Sequence, residues 1–282
     1  MSQHLAMTAQ WAAAQRARES EQANRLFHDP LARVLAGDEG MEMLRLSDQY
    51  NPQRQQTAEY MAVRTRFFDD WLVASARTGR KQIVLLGAGM DTRAFRLPLA
   101  EDTAFYELDQ AALFDVKEPA LQQSKGISLV HRVPVRVDLQ QPWVADLEQP
   151  GFQKTQPSIW LLEGLLYYLE EPSVRELVTH ISDCAAPGSA LGADLVSASF
   201  FRSPCTQQVL AGMAARGFAW RWGSDDPEDF FAEYGWQADA VQPGDTEANF
   251  GRWSSPVPPR KEREFPHTWL VTATKRKESP QA

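Results

Sequence analysis

The stretch Gln82–Leu97, QIVLLGAGMDTRAFRL, constrains the fold of this chain more than any other. Ile83–Leu86 is an unbroken apolar run, which suits a central strand of a parallel sheet, buried on both faces. The run stops at Gly87-Ala88-Gly89. Two glycines one residue apart let the backbone turn sharply and leave no side chain between it and a ligand. Asp91 or Thr92 can then cap a helix whose N–H groups point back at the loop. Strand, glycine loop and helix together open a nucleotide-type α/β site. A tight turn without a ligand uses the same residues, so the loop alone does not decide.

The rest of the chain alternates in the same way. Strands are predicted at Thr103–Asp109, Leu129–Val137, Ser158–Leu162 and Ala190–Val196, with helices at Ala111–Gln123 (which Pro119 threatens to shorten) and Ser173–Ala185. Two late strands, Trp236–Val241 and Thr268–Thr274, have no helix between them, which predicts a closing antiparallel strand. Upstream, Leu5–Ser20 is a helix. A second starts at Asp29-Pro30, continues through Leu31–Leu35 and ends at Gly37. In a longer helix, Thr57–Arg77, the residues Tyr60, Met61, Phe67, Phe68, Trp71 and Leu72 form one apolar stripe. Arg64 lies inside that stripe, and a charge on a buried face needs a partner: an acid of the protein or an anionic ligand.

The 282 residues suffice for one α/β domain, and a hydrophobic fraction of 43% supplies its core. Within it we expect a helical cap (1–80), a cofactor-binding core (81–196), an aromatic-rich helical insert acting as a lid (197–235) and the closing strands (236–275). The polar tail from Lys275 is expected to be disordered. A formal charge of -8 argues against a nucleic-acid surface. Cys184 and Cys205 are too few for a metal or disulfide framework. No signal peptide or membrane-length apolar run is visible, so the expectation is a cytoplasmic protein with no membrane partner. Oligomeric state is not legible.

Three acids follow the glycine loop at successive strand ends: Asp109, Asp138 and Glu163. In open α/β sheets, ligands sit at the carboxyl ends of the strands, so these acids share one edge with the loop. Asp109, about twenty residues past the loop, suits both hydroxyls of a ribose. NAD, FAD and S-adenosyl-L-methionine all satisfy that. A dinucleotide loop asks for a third glycine, but Thr92 stands there with the acidic Asp91 beside it. An acid is awkward near a pyrophosphate and tolerable near a sulfonium, and a methionine carboxylate would give Arg64 its anion. The residues therefore lean to S-adenosyl-L-methionine.

The motifs LLGAGMDTRAFRL, YELDQ, VRVDL and WLLEGLLYYL, in this order and spacing, resemble the leucine carboxyl methyltransferase family. They are most similar to its bacterial O-methyltransferases, which include polyketide carboxyl methyltransferases. NRLFHDPLA and RTRFFDDWL upstream also match, so the resemblance covers roughly residues 5 to 196. It implies a class I methyltransferase fold: a Rossmann-like, mostly parallel, seven-stranded sheet whose last strand is antiparallel. It further implies that Arg64 holds the cofactor carboxylate, that Gly87, Ala88 and Gly89 lie under the methionine moiety, and that Asp109 takes the ribose. Asp138 and the Leu139 backbone would meet the adenine, Glu163 the amino acid end, and Tyr168 the acceptor entrance.

Methyl transfer from a sulfonium needs alignment and no protein nucleophile. A base is needed only for an acceptor that is protonated at working pH, so a carboxylate needs none. Of the five histidines, His28 and His267 reach a pocket only through tertiary folding. No metal-ligand spacing appears. The acceptor pocket is expected between the N-terminal helices and the insert, with Phe201, Met213, Arg216, Trp220 and Trp222 among its candidate walls. Because Trp220 and Trp222 do not share a helix face, at least one should line a cavity. The reading is O-methylation of a small aromatic or polyketide-like carboxylic acid. The alternatives are a hydroxyl or phenol acceptor, a protein C-terminal carboxylate, an NAD-dependent oxidoreductase or a non-catalytic binding module.

Overall fold

The apolar run ahead of the glycine loop forms β1, Gln82–Leu86, with every residue buried. The computed structural model describes residues 2–51, 53–215 and 217–276, with side chains described from Ala6 onward. Arg216 and the tail from residue 277 lie outside the described residues.

The chain begins with three helices, α1 (Ser2–Ser20), α2 (Ala32–Tyr50) and α3 (Arg54–Arg77). The core then alternates: β1, α4 (Arg93–Arg96), β2 (Ala104–Asp109), α5 (Ala111–Gln123), β3 (His131–Arg136), α6 (Val144–Glu148), β4 (Ser158–Leu162), α7 (Glu171–Cys184) and β5 (Ala190–Val196). The insert carries α8 (Pro204–Ala215) and α9 (Pro227–Ala232), and β6 (Trp236–Val241) and β7 (Thr268–Lys275) close the sheet. The sheet order is β3-β2-β1-β4-β5-β7-β6, with β7 antiparallel to both neighbours. This is the mixed sheet that the two late strands predicted.

The central strands β1, β4 and β5 are buried on both faces because two separate cores need them. On one face Val84, Leu86, Tyr106, Leu108, Trp160 and Leu162 pack against Val174, Leu177, Val178 and Ile181 of α7. On the other, Ile83, Leu85, Phe105, Ile159 and Leu161 meet Val63, Phe68 and Leu72 of α3. Truncating one of these side chains to Ala costs about 2–5 kcal/mol. A third cluster joins Ala13 and Ala14 of α1, Leu35 and Leu44 of α2, and Leu113 and Leu121 of α5 around Met90 of the glycine loop. The N-terminal helices thus close over the loop.

Four expectations are corrected. Gly37, at φ 60 and ψ -173, breaks the helix as expected, but a second helical segment follows it directly to Tyr50. Pro119 does not shorten α5, whose Leu113, Phe114 and Leu121 are anchored by burial on both sides of it. The helix after the glycine loop is a single turn, Arg93–Arg96, too short to bring a dipole to a ligand. Lys275, expected in the polar tail, still pairs at the sheet edge, its N–H on Ser189 O and its carbonyl accepting from Gly188. Among the described residues, no helix is long and apolar enough to cross a membrane, and no group of residues could hold a metal ion.

Candidate functional site

The carboxyl ends of β1 to β4 open into one cleft of about 760 Å³. Gly87–Asp91, Asp109, Asp138, Leu139 and Glu163 all line it. After β1, the N–H groups of Gly87 and Ala88 both donate to Leu108 O, at 2.9 and 3.1 Å. Gly89 has φ 49, and a Cβ there would sit 3.3 Å from the Cβ of Ala9 in α1. A side chain at this position is therefore strained in backbone and crowded in space. The Gly89 N–H donates to Asp109 Oδ2 at 2.7 Å, and the Gln110 N–H to Oδ1 at 2.7 Å. Burial pushes the Asp109 carboxyl up, against the two N–H groups and Lys117, which lower it. Each Asp109 oxygen keeps a lone pair for a further donor. Asp138 sits exposed, its Oδ1 taking the Gln140 N–H at 3.0 Å.

The floor beside the loop is a continuous line of buried ion pairs. Arg16 Nε of α1 meets Asp29 Oδ2 at 2.9 Å, and Arg96 Nε approaches the same oxygen at 3.9 Å. Arg96 then binds Asp69 at 2.5 Å. Arg93 joins Asp69 (2.8 Å), Asp91 (2.6 Å) and Glu163 (2.6 Å). Arg64 Nε lies 3.0 Å from Glu163 Oε1 without hydrogen-bond alignment, so that contact is ionic only. Arg64 Nη1 donates to Asp194 Oδ2 at 2.9 Å. Asp29, Asp69, Asp91, Glu163 and Asp194 face Arg16, Arg64, Arg93 and Arg96, leaving one negative charge in excess. Burial alone would raise the carboxyls of Glu163 and Asp91, but the neighbouring arginines, Arg93 foremost, outweigh it and hold both below their ordinary range.

Arg64 has the partner that its place in the apolar stripe demanded, and that partner is protein. Asp194 also accepts the Tyr60 hydroxyl at 2.6 Å and the Gly164 N–H at 2.5 Å. The reading of the sequence missed Asp194, Arg93 and Tyr167. A lone acid inside the apolar run ALGADLV was a usable signal for Asp194, since a buried charge requires partners. Arg93 sits in a polar turn and had none.

The aromatic part of the cleft is lined by Phe200, Val209, Met213, Phe218 and Trp220, with Trp11 and the strap Pro256–Pro258. Trp220 and Met213 line it as expected. Trp222 does not: it is buried against Phe230, ring centroids 4.9 Å apart. Of the two tryptophans one lines the cavity and the other builds core. Phe201 stands outside the cleft walls, and its neighbour Phe200 takes the place. Tyr168, half-buried, lines the cleft edge-on to Trp220.

The two histidines are not brought to the cleft. His28 is exposed and outside the lining. His267 is buried, stacked on Trp269 at 5.0 Å, with Nδ1 2.7 Å from Gln242 Oε1 and Nε2 3.1 Å from Glu262 O. Its ring faces Gln242, whose Nε2 donates to Pro258 O of the strap at 2.9 Å, and the Glu262 carbonyl, although Pro266 and Thr268 on either side line the cleft.

Sheet order, antiparallel β7, glycine loop and acids at the strand ends define a class I methyltransferase fold. Two solved structures share it: a methyltransferase from Thermobifida fusca, provisionally named as such (TM-score 0.61, 16% identity, 95% of this chain and 94% of that one), and a DUF574 family protein from Streptomyces avermitilis (0.58, 15%, 93% and 96%). The leucine carboxyl methyltransferase profile matches residues 9–182. A Streptomyces avermitilis protein, provisionally named an S-adenosyl-L-methionine-dependent methyltransferase, is 37% identical over 255 residues, covering 88% of each chain. One from Streptomyces coelicolor with the same provisional name is 35% identical over 250 residues, 86% of this chain and 87% of the other. The chain belongs to the leucine carboxyl methyltransferase family of S-adenosyl-L-methionine-dependent methyltransferases.

Proposed function

We propose that this enzyme methylates a carboxylate of a small apolar or aromatic acid, forming a methyl ester. The cleft suits the cofactor on its own observations. A loop whose backbone leaves no room for a side chain, an acid with lone pairs to spare at the end of β2, and one excess negative charge together match a ligand with a ribose, a methionine and a sulfonium. When bound, S-adenosyl-L-methionine supplies a methyl group activated by the positive sulfur. Gly87, Ala88 and Gly89 would cradle the methionine moiety. Arg64 would take its carboxylate through Nη2, whose partner within the protein is the weakly accepting Met61 thioether at 3.5 Å. Glu163 would face the amino group, Asp109 the ribose, and Asp138 with the Leu139 backbone the adenine.

The observation that carries the carboxylate reading is that the cleft's buried acids are already committed. Glu163 and Asp91 are bound by arginines, and the lone pairs that Asp109 keeps beside its two backbone N–H groups are taken by the ribose in this reading. His267 is spent on Gln242 and the Glu262 carbonyl. The groups that could deprotonate an alcohol have other work, which suits an acceptor that arrives already ionised. The chain's part is then to orient the acceptor, exclude water behind the aromatic walls and hold the two reactants in line.

Asp109→Ala should weaken S-adenosyl-L-methionine binding by roughly 1–3 kcal/mol, since the ribose acceptor goes and the Gly89 N–H is orphaned. Calorimetric titration with circular dichroism as a fold control measures it, and unchanged affinity would remove Asp109 from the site.

A carboxylate acceptor, with a pKa of about 4, is ionised across the working range. Turnover on an acid library with labelled cofactor should be nearly flat from about pH 6 to 9, and the label should be released by mild base as methyl esters are. His28→Ala and His267→Ala should keep most of their turnover per folded enzyme. A rate climbing through about pH 6.5, lost in one of these variants, would mean a histidine base and a hydroxyl acceptor.

A further inference from the structure

Two tyrosines, the half-buried Tyr60 and the buried Tyr167, flank Arg64 in the cleft, and their protons have different fates. Tyr60 donates its hydroxyl proton to Asp194 Oδ2 at 2.6 Å, so it is spent. Tyr167 instead accepts, from Arg64 Nη1 at 3.2 Å. A phenol that accepts one hydrogen bond keeps its own proton to give.

The Tyr167 side chain is held in place on every side. Its ring packs on Trp220 at 4.4 Å and on Tyr168 at 4.9 Å. Its carbonyl takes the Arg221 N–H at 2.7 Å. Its hydroxyl lies close over the Gly164 backbone, 3.5 Å from where a Cβ would stand. Tyr167 therefore joins the ion-paired floor, through Arg64, to the aromatic acceptor wall, through Trp220. Burial first, and then Asp194, push its phenol well above the ordinary range, so it stays a donor at neutral pH.

We propose that the Tyr167 hydroxyl recognises the acceptor, donating to one oxygen of its carboxylate while the other is left to take the methyl group. This rests on the carboxylate reading above. The bond is charge-assisted on the acceptor side and polarised by Arg64 on the donor side, so it favours an anionic carboxylate over a neutral amide of the same shape. No proton leaves Tyr167 in the reaction.

The test uses the full chain saturated with S-adenosylhomocysteine, titrated calorimetrically with cinnamate, 4-phenylbutyrate and decanoate, and with their primary amides. Tyr167→Phe should raise the Kd of the acids that bind by about tenfold and that of the amides by less than about threefold. Its affinity for S-adenosyl-L-methionine should stay within about threefold of the parent, because Arg64 keeps Asp194. Tyr60→Phe, which removes a proton already spent, should keep the preference for acids over amides. The proposal is overturned if Tyr167→Phe binds the acids like the parent, loses acids and amides equally, or loses the cofactor as well. If the parent binds none of the acids and releases no base-labile label from the acid library, the carboxylate reading fails, and this inference with it. If the parent does both and the variant is unaffected, only the role of Tyr167 fails.

Discussion

Arg93→Met is expected to be the most damaging single change in this protein, costing about 3–5 kcal/mol of stability. The side chain is almost completely buried and binds Asp69, Asp91 and Glu163 at once, at 2.8, 2.6 and 2.6 Å. Removing it leaves three buried carboxylates short of a counter-charge, and Met supplies only apolar volume. Urea unfolding measures the loss. The effect has a pH signature. Asp29, Asp91 and Glu163 have folded pKa values below their unfolded values of about 4. Their ionised forms therefore favour the fold: the contribution is complete above the unfolded pKa and is lost as pH falls through the folded one. The parent should lose stability steeply below about pH 4, and Arg93→Met less steeply, because its carboxyls return toward their ordinary range. A variant that unfolds at the parent's urea midpoint at pH 7 would show that the cluster does not hold the strand ends.

Arg64→Met should weaken cofactor binding and also cost about 3 kcal/mol of stability. Helical spacing alone predicts the first effect without the second, since Met suits the apolar stripe of α3. The ion pairs reverse that expectation. Asp194 is fully buried in β5, and Arg64 is its counter-charge. Tyr60 and Gly164 still donate to it in the variant, which keeps the loss near the low end for a broken buried pair. A double-mutant cycle with Asp194→Asn isolates the term. Removing the arginine should cost clearly less when the acid is already neutral. Strict additivity of the two variants would refute the pairing.

The mostly parallel sheet with its antiparallel end, and the position of its ligand edge, were legible in the sequence for a local reason. β1 and β4 are buried on both faces, so each carries an unbroken apolar run, and β5 carries one interrupted only by Asp194. The glycine loop and the acids at the strand ends are marked by residue types that a turn and a ligand demand, and Gly87, Gly89, Asp109, Asp138 and Glu163 all line the cleft. The aromatic walls of the cleft were only half legible. Trp220 and Trp222 are the same residue type two positions apart, and only the path of the insert turns one to the cleft and the other to Phe230. The charge network was not legible at all. Arg64 meets Asp194 across 130 residues, Tyr60 meets it across 134, and Arg93 meets Glu163 across 70. A buried ion pair has no period and no neighbouring motif. It exists because α3, α4, β4 and β5 converge at the carboxyl edge of the sheet, where a charge removed from water must find its partner in another element. The sequence by itself determined that the glycine loop and the strand-end acids share one edge of the sheet. Only the tertiary structure decided that its arginines and acids are bound to one another, and that Tyr167 keeps a proton to donate while Tyr60 does not.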